Sequence, residues 1–165
     1  MNPTSGLLSI ALTFGGPVCA LVAGCAESRS AGPAGPVPAE LLARGRQLYE
    51  VSCASCHQKS GAGARGVAPP LAGSSWTEGS VERLVRITLH GVRGPLEVKG
   101  VSYNLEMPGL GHVFDDEEVA AILTYVRQAW GNRASAVSTG SVTEVREATT
   151  RRGDSWTLEE LVALE

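Results

Sequence analysis

The hydrophobic pattern at the start of the chain differs from that of the rest. From Leu7 to Gly24 the chain is apolar and uncharged, and the apolar run ends where Glu27 and Arg29 follow. Such a run is typical of an export signal. Glycine and proline interrupt it at positions 15 to 17, which favours a removed signal over a membrane-spanning helix. We therefore predict a signal peptide at residues 1–24, although no Lys or Arg precedes the apolar run.

Beyond residue 40, apolar residues recur at helical spacing in three segments. The first begins near Glu40 and contains a cysteine pair. The second ends at His90, just before a glycine, and the third is a closing helix. Asp115 and Glu118 form a capping box at the start of the closing helix, and we expect Gly131 to end it. The apolar positions of the second and third segments are Val81, Leu84, Val85, Ile87 and Leu89, and Val119, Ile122, Leu123, Val126 and Trp130.

A strand-like pattern interrupts the helices between residues 94 and 109. Apolar residues alternate with polar ones on both sides of Lys99-Gly100, a pair that favours a tight turn. The pattern predicts a short β-hairpin inserted into an otherwise helical domain.

A C-terminal extension follows the closing helix. Ser135–Gly140 has the composition of a linker, and two capping boxes after it predict two short helices. The boxes pair Ser141 with Glu144 and Thr157 with Glu160. Because the last segment carries a tryptophan and several leucines, we expect the extension to pack on the preceding domain or to dock on a partner.

Composition and charge exclude one class of partner and indicate an unusual core. The chain has 14 Lys and Arg against 17 Asp and Glu, a formal net charge of −3, with lysine only at positions 59 and 99. Because there is no basic cluster, we expect no nucleic-acid partner. Aromatic residues make up only 5% of the chain and 20 residues are glycine, so side chains alone give a thin core. Something other than side chains is expected to fill it.

Cys53-Ala54-Ser55-Cys56-His57 is the most informative segment. C-x-x-C-H is the sequence that attaches c-type haem. Two thiols three positions apart on a helical turn can add to the two vinyl groups of one porphyrin edge, and the adjacent histidine then lies under the iron. We therefore predict one covalently attached haem c, held by Cys53 and Cys56, with His57 as an axial ligand.

Three other interpretations of the cysteine pair remain. A thioredoxin-like redox pair requires a βαβ context, and none precedes Cys53. A structural zinc site requires four ligands, and the sequence has no second cysteine pair of this kind. A plain disulfide is compatible with an exported protein but leaves His57 without a role.

Met107 is the candidate for the second axial ligand. With the signal peptide removed it is the sole methionine, and it lies in a Gly- and Pro-rich segment where a core-filling methionine has little to pack against. A thioether opposite an imidazole raises the reduction potential, and a filled sixth position favours electron transfer over catalysis. His90 and His112 compete for this position; alternatively, His90 caps a helix and His112 faces water or a propionate.

Residues from about 40 to 131 resemble a class I cytochrome c. The resemblance rests on the haem motif, on Gly45 four residues before Tyr49 in the first helix, and on Ile122 three residues before Tyr125 in the last. It implies an all-α, cytochrome c-like domain around one covalent haem, here with a short β-hairpin insertion and a helical C-terminal extension. It also implies that the first and last helices cross at Gly45.

The same resemblance implies two further cofactor contacts. The carbonyl oxygen of Pro69, two residues before Leu71, is expected to accept a hydrogen bond from the second ring nitrogen of His57 and so to fix its tautomer. Trp76 resembles a residue that packs near a haem propionate, and is alternatively an ordinary core residue. The hairpin resembles insertions in cytochrome domains that accompany dehydrogenases and copper reductases, and it is expected to cover one haem edge.

Val22-Ala23-Gly24-Cys25 resembles the lipobox of bacterial lipoproteins. The resemblance implies that Cys25 becomes the diacylated N-terminus of the mature chain, which its acyl chains hold at a membrane. A cleaved protein without lipid and an uncleaved anchor are the alternatives. We expect a flexible tether (25–39) to join the anchor to a cytochrome domain (40–131) and its extension (132–165), outside the cytoplasm in the periplasm or at the cell surface.

Together these features predict an electron carrier rather than an enzyme. We expect it to accept electrons from an exported dehydrogenase or respiratory complex and to pass them to an oxidase, a reductase or another cytochrome. Two alternatives remain: a haem enzyme or gas sensor with an open sixth site, and a structural lipoprotein in which Cys53 and Cys56 form a disulfide.

Overall fold

The computed structural model describes Met1 and residues 36–164. The predicted signal peptide after Met1, Cys25 and the tether before residue 36 lie outside the described residues. Residues 36–164 belong to one compact unit. Within this described part of the chain, no helix has both the length and the apolar character needed to cross a membrane.

Along residues 36–164, four helices are followed by four very short strands, and then by two helices, one further short strand and a last helix. The elements in chain order are α1 (Ala39–Ser52), α2 (Ala54–His57), α3 (Ser75–Glu78), α4 (Val81–His90), β1 (Gly91–Arg93), β2 (Leu96–Val98), β3 (Val101–Tyr103), β4 (Glu106–Pro108), α5 (Asp116–Gln128), α6 (Thr139–Ala148), β5 (Trp156–Thr157) and α7 (Leu158–Ala163). The three helical segments, the hairpin and the two helices of the extension are all present where the sequence pattern predicts them, within a few residues.

The strands form two small sheets, so the expected all-α class holds only roughly. β2 and β3 make the predicted hairpin, and its turn residues Lys99 and Gly100 have φ values of 52° and 72°. The second sheet has the order β4-β1-β5, with β1 antiparallel to β4 and parallel to β5. This sheet was not predictable from the sequence, because strands of two or three residues are too short to show an alternating pattern.

Gly45 lets α1 and α5 pack closely, as predicted. A Cβ atom at Gly45 would lie 2.0 Å from the carbonyl oxygen of Ala121 and 2.8 Å from Cβ of Tyr125. The predicted capping box is also present, since Asp115 accepts from the backbone N–H of Glu118 and the Glu118 side chain accepts in return. The close crossing brings the buried face of α5 into the core.

α5 ends earlier than expected. Its last residue is Gln128, and both Trp130 and Gly131 lie beyond it with positive φ values of 55° and 89°. Trp130 is therefore not part of the helical face on which it was predicted. It still packs on that side of the domain, because its ring centroid lies 5.1 Å from that of Tyr49 and 5.4 Å from that of Tyr125.

The C-terminal extension packs on the preceding domain, one of the two outcomes expected. Val142 and Val145 of α6 belong to the same core cluster as Val119 of α5. Trp156 and Leu161 belong to a second cluster, which also contains the apolar residues of the hairpin. The extension therefore contributes to both clusters.

The two predicted helix starts in the extension have different outcomes. Thr157 and Glu160 form the expected capping box of α7. α6 instead begins at Thr139 with Ser138 as its cap, so the predicted cap Ser141 lies inside the helix. Ser and Thr residues are frequent in this segment, and several of them suit the cap position equally well.

Candidate cofactor site

An apolar cavity of about 260 Å³ brings the predicted site residues together. Its walls come from the segment after α2, from α4 and α5, and from the hairpin with the β4 strand. The predicted cofactor-binding residues that line it are Cys53, Cys56, His57, Pro69, Trp76 and Met107. The predicted lipidation site, Cys25, lies outside the described residues.

The cysteine pair lies on its own helical turn, just after α1. α1 ends at Ser52, and the carbonyl oxygen of Cys53 accepts hydrogen bonds from the N–H groups of Cys56 and His57, at 3.2 and 2.9 Å. The motif is therefore not inside the first helix. Cys53 is half-buried, and this burial raises the pKa of its thiol to about 11, whereas Cys56 is exposed.

His57 is buried, and a hydrogen bond fixes its ring. Nδ1 lies 2.9 Å from the carbonyl oxygen of Pro69, the contact that the family resemblance implied. Because a carbonyl oxygen only accepts, Nδ1 carries the proton and Nε2 keeps its lone pair. Burial lowers the pKa of His57, so the ring is neutral at pH 7 and has a nitrogen suited to bind iron.

A tight loop holds the Pro69 carbonyl in position. Ala64 and Ala68 exchange two backbone hydrogen bonds of 2.9 Å. Gly63, with a φ of 68°, lies so close that a Cβ atom there would be 2.4 Å from the carbonyl oxygen of Ala68 and 2.7 Å from that of Pro69. Only glycine fits this position. Gly63 could not be recognised from the sequence, since the segment contains several other glycines.

Met107 lies in strand β4, not in the loop that the sequence suggested. It pairs with Val92 of β1. Gly91 permits this pairing, because a Cβ atom at Gly91, whose φ is 85°, would lie 2.3 Å from the carbonyl oxygen of Met107. The sheet therefore holds the backbone of Met107 in place while the half-buried residue lines the cavity.

Of the three candidates for the second axial ligand, only Met107 lines the cavity. His90 ends α4 as predicted, and its Nε2 lies 2.7 Å from the hydroxyl oxygen of Thr149. Burial lowers the pKa of His90, as do the charges of Arg152 and Arg146, so the ring is a neutral rather than a cationic helix cap at pH 7. His112 is exposed.

The hairpin supplies one wall of the cavity through Leu96, Val98 and Tyr103. Its tip is held down by Lys99, whose Nζ donates to the carbonyl oxygen of Ala72 at 2.9 Å. Trp76 adds a further wall, and the guanidinium of Arg83 lies 4.6 Å from the centre of its ring. Apolar side chains therefore cover the cavity, and two basic residues, Lys99 and Arg83, lie beside these side chains.

A buried hydroxyl and the donor set both fit a haem. Thr77 is fully buried and lines the cavity, and its Oγ1 has no hydrogen-bond partner among the described residues. Buried polar atoms normally have a hydrogen-bond partner. A haem carboxylate could accept a hydrogen bond from this hydroxyl. The thiols, the neutral imidazole and the thioether are the donors of a c-type site. Thr77 was not predicted from the sequence, because a single threonine carries no motif.

Comparison with known proteins finds that the chain is similar to cytochromes. A family model described as "Cytochrome C oxidase, cbb3-type, subunit III" matches residues 40–126. Cytochrome c-552 of Thermus thermophilus is 42% identical over 94 residues, which cover 54% of this chain and 70% of that protein. The residues matched by the family model include all those that line the cavity.

Cytochrome subunits of dehydrogenases are similar over part of their length. The gluconate 2-dehydrogenase cytochrome c subunit of Pantoea cypripedii is 32% identical over 100 residues, which cover 58% of this chain and 22% of that protein. The cytochrome c subunit of alcohol dehydrogenase (quinone) from Gluconacetobacter polyoxogenes is 31% identical over 122 residues, which cover 68% of this chain and 26% of that protein. The chain thus matches about a quarter or less of each subunit.

Proposed function

The chain belongs to the cytochrome c family, in the group described as cytochrome c oxidase, cbb3-type, subunit III, and on this basis we propose that it is an electron carrier with a single, covalently attached haem c. Cys53 and Cys56 would hold the haem through thioether bonds, with His57 and Met107 as axial ligands. A haem bound in this way supplies iron that exchanges one electron between its ferric and ferrous forms.

The observation that carries this proposal is the convergence of two thiols, a neutral imidazole and a thioether on one apolar cavity. The Pro69 carbonyl orients the imidazole of His57, and strand pairing with β1 positions Met107. Thr77 and Trp76 offer polar and aromatic contacts for the haem edge. Each of these residues would bind or orient the haem, and electron transfer itself requires none of them as an acid, a base or a nucleophile.

Two axial side chains favour a carrier over an enzyme or gas sensor. Ligation by both His57 and Met107 leaves no open coordination position for a small molecule. A carrier instead requires an exposed edge and a small contact area. Val67 and Leu105 line the cavity and are 53% and 57% exposed, which provides an apolar surface for a partner beside the haem.

Redox proteins outside the cytoplasm are the partners that we propose. The relatives include cytochrome subunits of gluconate 2-dehydrogenase and of alcohol dehydrogenase (quinone), so a dehydrogenase is a fitting donor. An oxidase, a reductase or another cytochrome would accept the electron. Lipidation of Cys25 would hold the carrier at a membrane near these partners.

The ligation is tested on protein made in a host that matures c-type cytochromes. We expect colour that stays with the protein after acid–acetone extraction, and a low-spin ferric spectrum with the far-red sulfur-to-iron band. Met107→Ala should remove that band, whereas Leu105→Ala, two residues away on the same cavity, should keep it. A colourless protein, or a high-spin iron that readily binds carbon monoxide, would contradict the proposal.

The anchor is tested separately by mass spectrometry of the mature chain. A chain that begins at Cys25 and carries added acyl groups supports lipidation. A chain that begins at Cys25 without acyl groups, or one that retains residues 1–24, contradicts it. The ligation experiment is independent of this outcome.

A further inference from the structure

The strand that carries Met107 is held from the side of the C-terminal extension. In the sheet β4-β1-β5, Val92 of β1 pairs with Met107 on one side and with Trp156 on the other. β4 and β1 have only three residues each. A two-stranded ribbon of this length is marginal in water, and a third strand stabilises it. β5 therefore contributes to the position of Met107 without touching the cavity.

Side-chain contacts reinforce this arrangement on both flanks of Met107. On one flank, the hydroxyl of Ser155 donates to the carboxylate of Glu106, the residue directly before Met107. On the other flank, Arg146 of α6 donates to the carbonyl oxygens of Gly111 and Phe114, at 2.6 and 3.0 Å. The extension thus holds the segment from Glu106 to Phe114 near each of its ends.

Packing joins the extension to the same segment. Met107 packs against the apolar cluster to which Trp156 and Leu161 belong. The ring of Trp156 is in turn fixed by Arg152, whose guanidinium carbon lies 3.5 Å from its centre. Arg152 is itself held by Glu160, at 2.7 Å. Arg152 and Glu160, both in the extension, therefore hold Trp156 in the apolar cluster against which Met107 packs.

We propose that Ser155, the residue of the C-terminal extension whose hydroxyl donates to Glu106, is a positioning residue for the thioether of Met107. The inference rests on the proposed function, in which Met107 ligates the iron. A thioether is a neutral, weak ligand. How often it occupies the coordination position on the iron therefore depends on how firmly the backbone holds Met107 in place. When the Ser155 contact is lost, β4 moves more freely and Met107 competes less well against an added ligand.

The test compares two serine-to-alanine variants of the full-length, haem-loaded protein. Ser155→Ala removes the bond to Glu106. Ser138→Ala removes the cap of α6, which lowers the stability of the extension but leaves the contacts of β4 intact. The probe is imidazole added to the ferric protein, and the readout is the concentration at which half of the sulfur-to-iron band is lost.

We expect Ser155→Ala to lower this imidazole concentration by about fivefold, because the loss of one hydrogen bond changes an equilibrium constant by about that factor. Ser138→Ala should leave the concentration near the wild-type value. Equal values for the two variants would overturn the inference, because a general loss of stability would then explain the effect. An unchanged value in Ser155→Ala would overturn it as well. Failure of the proposed function differs from both results, since the band is then absent from the wild-type protein.

Discussion

The crossing of α1 and α5 tolerates no side chain at Gly45, and Gly45→Ala tests this directly. The added Cβ would lie 2.0 Å from a backbone oxygen and 2.7 Å from a backbone carbon of Ala121, where real Cβ contacts stay above 3.0 Å. Because backbone atoms cannot rotate away, α5 must shift by about 1 Å. Overpacking of this kind costs about 1–3 kcal/mol, less a gain of up to about 1 kcal/mol in helix propensity. With the full gain subtracted, we expect a net destabilisation of up to about 2 kcal/mol.

The assay is denaturant unfolding of the haem-loaded protein, followed by far-UV circular dichroism, with Gly140→Ala as the matched control. Gly140 also lies in a helix, and a Cβ there would meet its nearest atom, the hydroxyl oxygen of Ser138, at 3.9 Å. The same substitution should therefore stabilise the protein there by up to about 1 kcal/mol. If Gly45→Ala were as stable as Gly140→Ala, the close crossing would not exist in solution.

Two further substitutions test the buried arginine and the half-buried histidine. Arg127→Met removes four hydrogen bonds, to the carbonyl oxygens of Thr77, Gly79 and Ser135 and to the Ser135 hydroxyl. In denaturant unfolding, this variant should be less stable than the wild-type protein by about 3 kcal/mol or more. A matching loss of stability in the exposed control Arg151→Met would refute this. Because burial and neighbouring arginines lower the pKa of His90, the unfolded chain binds more protons, so stability should fall as the pH drops below about 6.5. His90→Gln should weaken this pH dependence, and identical pH profiles would exclude the role of His90.

The fold was predictable where the signal is local. The capping box of Asp115 with Glu118 and the turn at Lys99-Gly100 each involve residues at most three apart, and both are present. The close approach at Gly45 followed from a family resemblance, since no local pattern reveals which helix lies opposite. The end of α5 was misplaced because Trp130 fits the helical spacing, while its φ of 55° takes it out of the helix.

The two proposed axial ligands differ in how the sequence encodes their placement. His57 is oriented by Pro69, only 12 residues away, through a tight loop that Gly63 closes, so a local segment specifies both the ligand and its tautomer. Met107 depends on β1, 15 residues before it, and on Ser155, which contacts a residue 49 positions away. Short strands are stabilised by their partners rather than by their own propensity. The histidine side of the site therefore followed from the haem motif and, for Pro69, from the family resemblance, whereas the support of Met107 was visible only in the structure.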